Sequence, residues 1–436
     1  MAKKGVPLHT RIFIGLILGA VAGGIAQAIY GNRDPGLQRF NETVATPIGN
    51  IFLYLIFMTV VPLLFSALVL GIGELGNAAR AGKIGLLSLL MTVVLSGAAV
   101  GIGLAGVNLL RPGEIITEER RADLIANYSD EEAGKKAVES AEKRDSDRVF
   151  EIIPKNPFRE MERALEGGLL PFMFFALVFG LALASVEAER AAAVRAFLDG
   201  IFAISQKIIE FAMLLAPIGV FFLVFKTGAT LGVELLSALA LYVVLVLGAL
   251  AFHFFVTYSL ALKLVARRSP VAFMRQMRTV ILTAFATSSS NATLPTALQA
   301  ATDDVGLPRD ISSFVLTVGA TANQNGTALF EGITIVFLAQ LFGVGLSLAD
   351  QAWIMVLAII AGIGTAGVPS GSLPMIASVL FTFKVPVAGI GIITGIDRIL
   401  DMSRTVLNVY GDMTIAACVT TLSGRQHEAA VEAAAE

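Results

Sequence analysis

Charge is scarce in this chain, and the scarcity excludes more than any motif does. Only 15% of its 436 residues are Asp, Glu, Lys or Arg and 56% are hydrophobic, against roughly a quarter charged in an ordinary soluble domain. With a mean hydropathy of +0.77, a soluble protein is excluded. Basic residues are in no excess either: 32 Lys plus Arg face 34 Asp plus Glu, a net charge of −2. Nothing is therefore available to hold nucleic acid by counterion release. The single cysteine, Cys418, excludes a disulfide framework and a thiolate zinc cluster, which need thiols in pairs. Neither a histidine nor a lysine lies near the serine run Ser288 to Ser290, so a membrane enzyme built on a nucleophile and its base has no local support.

What charge there is clusters. Residues 114–155 carry about 20 of the 66 charged residues, leaving elsewhere a density that only a membrane-embedded chain shows. That stretch is too polar for a core of its own and reads as a helical or partly disordered aqueous loop. A helix rises about 1.5 Å per residue and the hydrocarbon layer is roughly 30 Å thick, so about 20 apolar residues cross it. Arg11 to Tyr30, Ala45 to Leu70, Ile84 to Leu109, Gly168 to Leu183, Phe202 to Phe225 and Leu235 to Val265 read as six spans separated by Gly, Pro and charged clusters. The first is long, Gly-rich and without a small-residue cleavage site, so it is expected to remain rather than be removed as a signal peptide. Lys3 and Lys4, Arg80 and Lys83, Arg190 and Arg195, and Arg267, Arg268, Arg275 and Arg278 fall at alternate ends of these spans. By the positive-inside rule the N-terminus is cytoplasmic and the charged loop is extracellular or periplasmic.

Beyond about residue 270, polar clusters break the apolar pattern: Thr287 to Asn291, Asn323 to Thr327, Gly364 to Ser372, and a helix carrying Asp397, Asp401, Arg404, Asn408 and Asp412. Thr293-Leu294-Pro295 after one turn recurs as Ser372-Leu373-Pro374 after another, a short internal repeat of interrupted segments of the kind that brackets a transporter's site. Irregular backbone at membrane depth survives only inside protein or around a wet cavity, so the turns near Ser289 and Pro369 are expected to be hairpin tips. Five polar or Gly residues in a row, Asn323 to Thr327, cannot share one helix face. The helix is expected to unwind there, freeing carbonyl oxygens of the kind hard cations bind.

The last helix carries the sharpest pattern. Taking Asp397 as zero, helical geometry puts Asp401 at about 40°, Arg404 at about −20°, Thr405 at about 80°, Asn408 at about 20° and Asp412 at about 60°. All share one stripe. A charge at mid-span costs roughly 2.5 to 3.5 kcal/mol on insertion scales, and such residues face a partner or a site. Arg404 offers a planar fork for a carboxylate, and Asp401 one turn away suits an ammonium; together they describe an acidic amino acid. The competing reading is mutual pairing of Asp401 with Arg404.

These four clusters, in order and spacing, resemble the dicarboxylate/amino acid:cation symporter family of glutamate transporter homologues over about residues 8 to 420. The matching stretches are Ser288-Ser289-Ser290 with Thr293-Leu294-Pro295, Gly319 through Thr327, Gly364-Thr365-Ala366-Gly367-Val368-Pro369, and Asp397 through Thr405 with Asn408 and Gly411-Asp412. The resemblance implies an all-α polytopic membrane protein: eight transmembrane helices, two re-entrant helical hairpins, an elevator fold and a homotrimer. Scaffold helices 1 and 2 would occupy 8–83, transport-domain helix 3 84–113, the charged loop 114–160 and scaffold helices 4 and 5 161–230. The rest of the transport domain (helix 6, hairpin 1, helix 7, hairpin 2, helix 8) would occupy 231–422, and a cytoplasmic tail 423–436. It also implies substrate contacts from Arg404 to the side-chain carboxylate and from Asp401 to the amino group. Thr405 completes that set, while Asn408, Thr327, Ser289, Ser290 and the backbone near Val368 meet the main-chain carboxylate.

The departures bear on the coupling ion. The family's sodium motif reads Asn-Met-Asp-Gly-Thr, whereas here Gln324 replaces Met and Asn325 replaces Asp; the Thr-Ser pair that joins the same sodium site is Leu95-Ser96. Two losses at one site argue that it is abandoned. Gly319, Asn323, Asn408 and Asp412 resemble a second sodium site that is retained, and Thr321 with the Thr365 region a third. Glu331 stands where mammalian members carry a proton-carrying glutamate, and burial in a span, which penalises the charged carboxylate, suits it to carry a proton; the bland alternative is that it anchors the aqueous end of its helix. The family's second arginine near the substrate falls at Ser288 or Met402, both uncharged. The expected function is therefore cation-coupled uptake of glutamate and aspartate through the cell (inner) membrane, with H+ favoured over full Na+ coupling and no organic cofactor. Sodium-coupled or C4-dicarboxylate transport is the alternative and an anion channel a remote one. His253, alone in its span, reads as structural.

Overall fold

The computed structural model describes residues 8–31, 34–59, 61–70, 82–128, 153–163, 169–364 and 372–424. Among them every regular element is helical. In chain order the longer helices are α1 (Leu8–Tyr30), α2 (Thr46–Phe57), α3 (Val61–Leu70), α4 (Lys83–Leu110), α5 (Glu118–Tyr128), α6 (Leu169–Ser185) and α7 (Ala188–Phe252). Next come α8 (Arg278–Thr287), α9 (Ser290–Asp303), α10 (Arg309–Ala322), α11 (Asn325–Leu341), α12 (Leu348–Gly364), α13 (Ser372–Thr382) and α14 (Ile390–Ser423).

Four stretches are long and apolar enough to cross a membrane: Thr10–Tyr30, Lys83–Ile115, Ala188–Lys226 and Ser237–Val265. The last two correspond to spans expected to be separate, yet both fall largely within the single helical run α7, 65 residues long. The residues between them include Gly228 and Gly232 but no proline. Glycine weakens a helix while leaving its hydrogen-bond ladder intact, and only proline removes a donor; Pro217, inside the run, does not end it.

α1 packs along α7 through Gly15, Gly19 and Gly23. A Cβ on any of them would collide with the backbone carbonyls of Pro217, Phe221 or Phe225, the close small-residue contact by which helices associate where lipid supplies no hydrophobic drive. At the centre lies α11, packed against α4, α12 and α14, with every residue from 325 to 339 buried. A helix apolar on all sides belongs inside, which is where its polar members Asn325, Thr327, Glu331 and Thr334 are carried. The charged stretch after α4 is tied down at its start. Its helix α5 buries Leu124 in the main core, and Arg121 packs on the Gly343 turn that follows α11.

Candidate functional site

The first polar cluster is a tight helical hairpin. α8 ends at Ser288 in the left-handed conformation (φ 51°), and Ser289 caps α9, its hydroxyl accepting from the Ala292 N–H at 3.2 Å. The turn is closed by Thr293, which donates to the Ser289 carbonyl at 2.8 Å and lies 3.1 Å from the Thr287 hydroxyl. Ser290 begins α9 and is buried, and α9 packs on α14.

The second cluster is a break between α10 and α11, shorter than expected. Only Asn323 and Gln324 leave helical geometry; Asn325, Gly326 and Thr327 already form the first turn of α11. A helix start tolerates consecutive polar residues because its first N–H groups need partners from outside the helix, and the Gly326 N–H finds one in the Asn408 Oδ1 at 2.7 Å. The Asn408 Nδ2 donates to the Thr327 hydroxyl at 3.2 Å and to the Gln324 Oε1.

α14 presents its expected stripe inward. Asp397, Asp401, Arg404, Thr405, Asn408 and Asp412 are all buried, while Ile399, Ser403 and Val406 on the opposite side are not. Arg404, 1% exposed, donates through Nη2 to Asp397 and Asp401, both at 2.9 Å, and through Nη1 to the Ser372 hydroxyl at 2.7 Å. Its guanidinium carbon lies 3.9 Å from the centre of the Phe330 ring. The mutual pairing of Asp401 and Arg404 is thus realised, with Asp397 as a second carboxylate on the same nitrogen. The Thr405 hydroxyl turns back to the Asp401 carbonyl at 2.9 Å.

Two further groups of polar atoms flank the break. On one side the Asn323 Nδ2 donates to the Asp412 Oδ1 at 2.6 Å, and a Cβ on Gly319 would run into that carboxylate. A cavity of about 10 Å³ lies there, lined by Ser88, Thr92, Gly319, Asn323 and Asp412 among others; a void of that size holds about one water-sized group. On the other side Asn325, where the family motif has Asp, is closed off. It accepts from the Ser96 hydroxyl at 2.5 Å and donates to the Tyr258 hydroxyl at 3.0 Å, which donates in turn to the Leu407 carbonyl at 3.1 Å.

Glu331 does not face an aqueous helix end: it is 1% exposed and lies within α11. Thr321 lies in the last turn of α10. Thr365 and Val368 lie outside the described residues. His253 is buried with its ring edge-on to Tyr258 at 4.6 Å, and neither ring nitrogen has a hydrogen-bond partner among the described residues, so the satisfied histidine expected in this span is not what the structure shows. Phe330, Tyr258 and the Ser372 hydroxyl are missing from the sequence reading. For Phe330 a signal existed, since an aromatic three residues after Thr327 lies one helical turn from it on nearly the same face.

The model of the sodium:dicarboxylate symporter family matches residues 8–422. A proton/sodium-glutamate symport protein of Bacillus subtilis (strain 168) is 34% identical over 427 residues, 98% of this chain and 95% of the relative. A proton/glutamate-aspartate symporter of Escherichia coli (strain K12) is 30% identical over 93% of this chain and 90% of its own length. Excitatory amino acid transporter 3 of Oryctolagus cuniculus is 30% identical over 95% and 85%. Membrane-length apolar helices, a buried polar centre and similarity along nearly the whole chain lead to one conclusion: this integral membrane protein belongs to the sodium:dicarboxylate symporter family, a family of transporters and not of enzymes.

Proposed function

We propose that the chain is a secondary active symporter that takes up L-glutamate and L-aspartate together with a coupling cation. The observation that carries this reading is the Arg404 cluster on α14. Buried ion pairs are weak stabilisers, and apolar replacements of similar volume are often neutral or better, so a fully buried guanidinium with two carboxylates at 2.9 Å argues for a ligand. In this reading the Arg404 fork takes the substrate's side-chain carboxylate, and Asp401, whose side chain is the more exposed of the two acids at 10% against 1%, takes its ammonium. Thr405 lines the same stripe. Asn408, Thr327, Ser289, Ser290 and the Val368 backbone serve the main-chain carboxylate. The symport activities in the names of the relatives support the same substrate class.

For coupling we favour a proton carried by Glu331, with sodium dependence reduced. Burial of Glu331, which disfavours the charged carboxylate, supports the first part. The Ser96–Asn325–Tyr258 hydrogen bonds support the second, because they put a neutral amide where the family motif has a charged ligand. Residual sodium binding falls to Gly319, Asn323, Asn408 and Asp412, and to Thr321 with Thr365. The architecture that accompanies this function is eight spans and two re-entrant hairpins, in a homotrimer in the cell (inner) membrane with both termini cytoplasmic. Helices 1, 2, 4 and 5 act as scaffold, and the remainder moves as an elevator that carries the substrate. The hairpin of α8 and α9, with its two-residue turn, supports the first re-entrant element.

Uptake of labelled aspartate and glutamate into proteoliposomes under separate proton and sodium gradients tests the reading. Accumulation driven by the proton gradient is expected. Full sodium dependence without any pH response removes the proton arm, and absence of uptake removes the function. C4-dicarboxylate transport is the second reading, favoured only by the carboxylate-binding side of the cluster. Asp401 would repel a substrate without an ammonium, so strong competition by succinate would establish it. Saturable counterflow separates a carrier from a channel.

A further inference from the structure

At the break between α10 and α11 a carbonyl loses its helical partner. Had the helix continued, the Ala320 carbonyl would accept from the backbone N–H of Gln324; with Gln324 at φ −113° and ψ 60°, the last such bond of α10 is the one from Asn323 N–H to Gly319 O. Orphaned carbonyls at a helix end need an outside donor, and in a water-poor interior leaving one unmet is costly. The donor here is the Gln324 side chain itself, whose Nε2 reaches the Ala320 carbonyl at 3.0 Å. The other end of the same amide, Oε1, accepts from the Asn408 Nδ2 of α14. Asn408 in turn holds Gly326 and Thr327 in the first turn of α11. Gln324, 3% exposed, therefore links the end of α10 to the start of α11 by way of α14.

We infer that Gln324 is a positioning residue that does at this break what a bound cation would otherwise do. A cation at unwound backbone gathers free carbonyl oxygens and fixes the two half-helices against each other. Here an amide N–H takes the carbonyl, and an amide oxygen orients Asn408. The consequence is that Asn408 and Thr327 are held ready for a substrate carboxylate without an ion at this place. The inference rests on the proposal that Asn408 and Thr327 meet the substrate.

The test uses the purified full-length protein and L-aspartate binding, in choline buffer and in sodium buffer, for the wild type, Gln324→Met and Gln324→Leu. Wild-type affinity is expected to be nearly the same in the two buffers. Both variants are expected to lose about tenfold in choline, as when a buried polar group is left unpaired, and Gln324→Met is expected to recover part of that loss in sodium. Such sodium rescue is a change that a merely loosened fold would not produce. Variants that bind in choline as tightly as the wild type overturn the inference. So does a wild type that binds only with sodium, a result that needs no variant to fold. A wild type that binds and transports no acidic amino acid under any condition fails differently: it removes the functional reading on which the inference stands.

Discussion

The guanidinium carbon of Arg404 lies over the Phe330 ring, 3.9 Å from its centre, so that the charge at the heart of α14 is held by a ring from α11 as well as by two carboxylates. A desolvated cation–π contact of this kind contributes about 2 kcal/mol. Phe330→Leu is expected to keep the fold and weaken aspartate binding about tenfold. Arg404→Ala is expected to abolish accumulation, and Arg404→Lys not to restore it, because an ammonium lacks the planar fork. Equilibrium binding and proteoliposome uptake of the three variants check this; aspartate accumulation that survives Arg404→Ala would refute the assignment.

Glu331 is the coupling prediction. Glu331→Gln keeps the size and hydrogen-bonding capacity of the side chain and removes its proton chemistry. Net uptake driven by a pH gradient should fall to background, while exchange of internal for external aspartate, which needs no net proton movement, should persist. Counterflow and net uptake measured on the same vesicles separate the two.

Asn325→Asp is expected to place a charge where Ser96 and Tyr258 now satisfy a neutral amide. An unmatched buried charge costs on the order of 3 to 5 kcal/mol. The variant should melt at a lower temperature than the wild type in choline and regain stability as sodium is titrated in, because a cation can pair with the new carboxylate. Thermal melts across a sodium series decide the matter, and a variant indifferent to sodium would count against the abandoned-site argument.

Gly19→Leu addresses the packing of α1. A side chain there must displace the Phe221 backbone, and overpacking of this sort costs about 1 to 3 kcal/mol or more where backbone cannot yield. Lower recovery of monodisperse protein is expected, whereas Gly24→Leu, at a position with open space around it, should be tolerated.

How much of this was legible in the sequence follows from where each signal is encoded. The stripe of α14 could be read because charges in an apolar segment are rare and helical angles are fixed, and the structure buries all of them. The serine turn could be read because α8 and α9 are contiguous. The break was placed correctly but made too long: polarity alone cannot distinguish an unwound residue from one in the first turn of the next helix. The pairing of Arg404 with Asp401 was weighed, whereas Asp397, seven residues away, was not expected as a second partner. Tyr258 with Asn325 and Ser96 with Asn325 join residues 67 and 229 positions apart, and no local pattern announces such contacts. The continuity of α7 is hidden from composition because Lys226, Gly228 and Gly232 look like a boundary, yet none of them removes a backbone donor from the helix.

Residues 325–339 of α11 have no face turned to the outside. Were this helix to slide alone, contacts would be stripped around its entire circumference at once, against α4, α12 and α14 together. In such a setting the polar break at its head and Glu331 further along are locked into one packed unit with α4, α12 and α14, so that a change at any one of these contacts is felt by all of them.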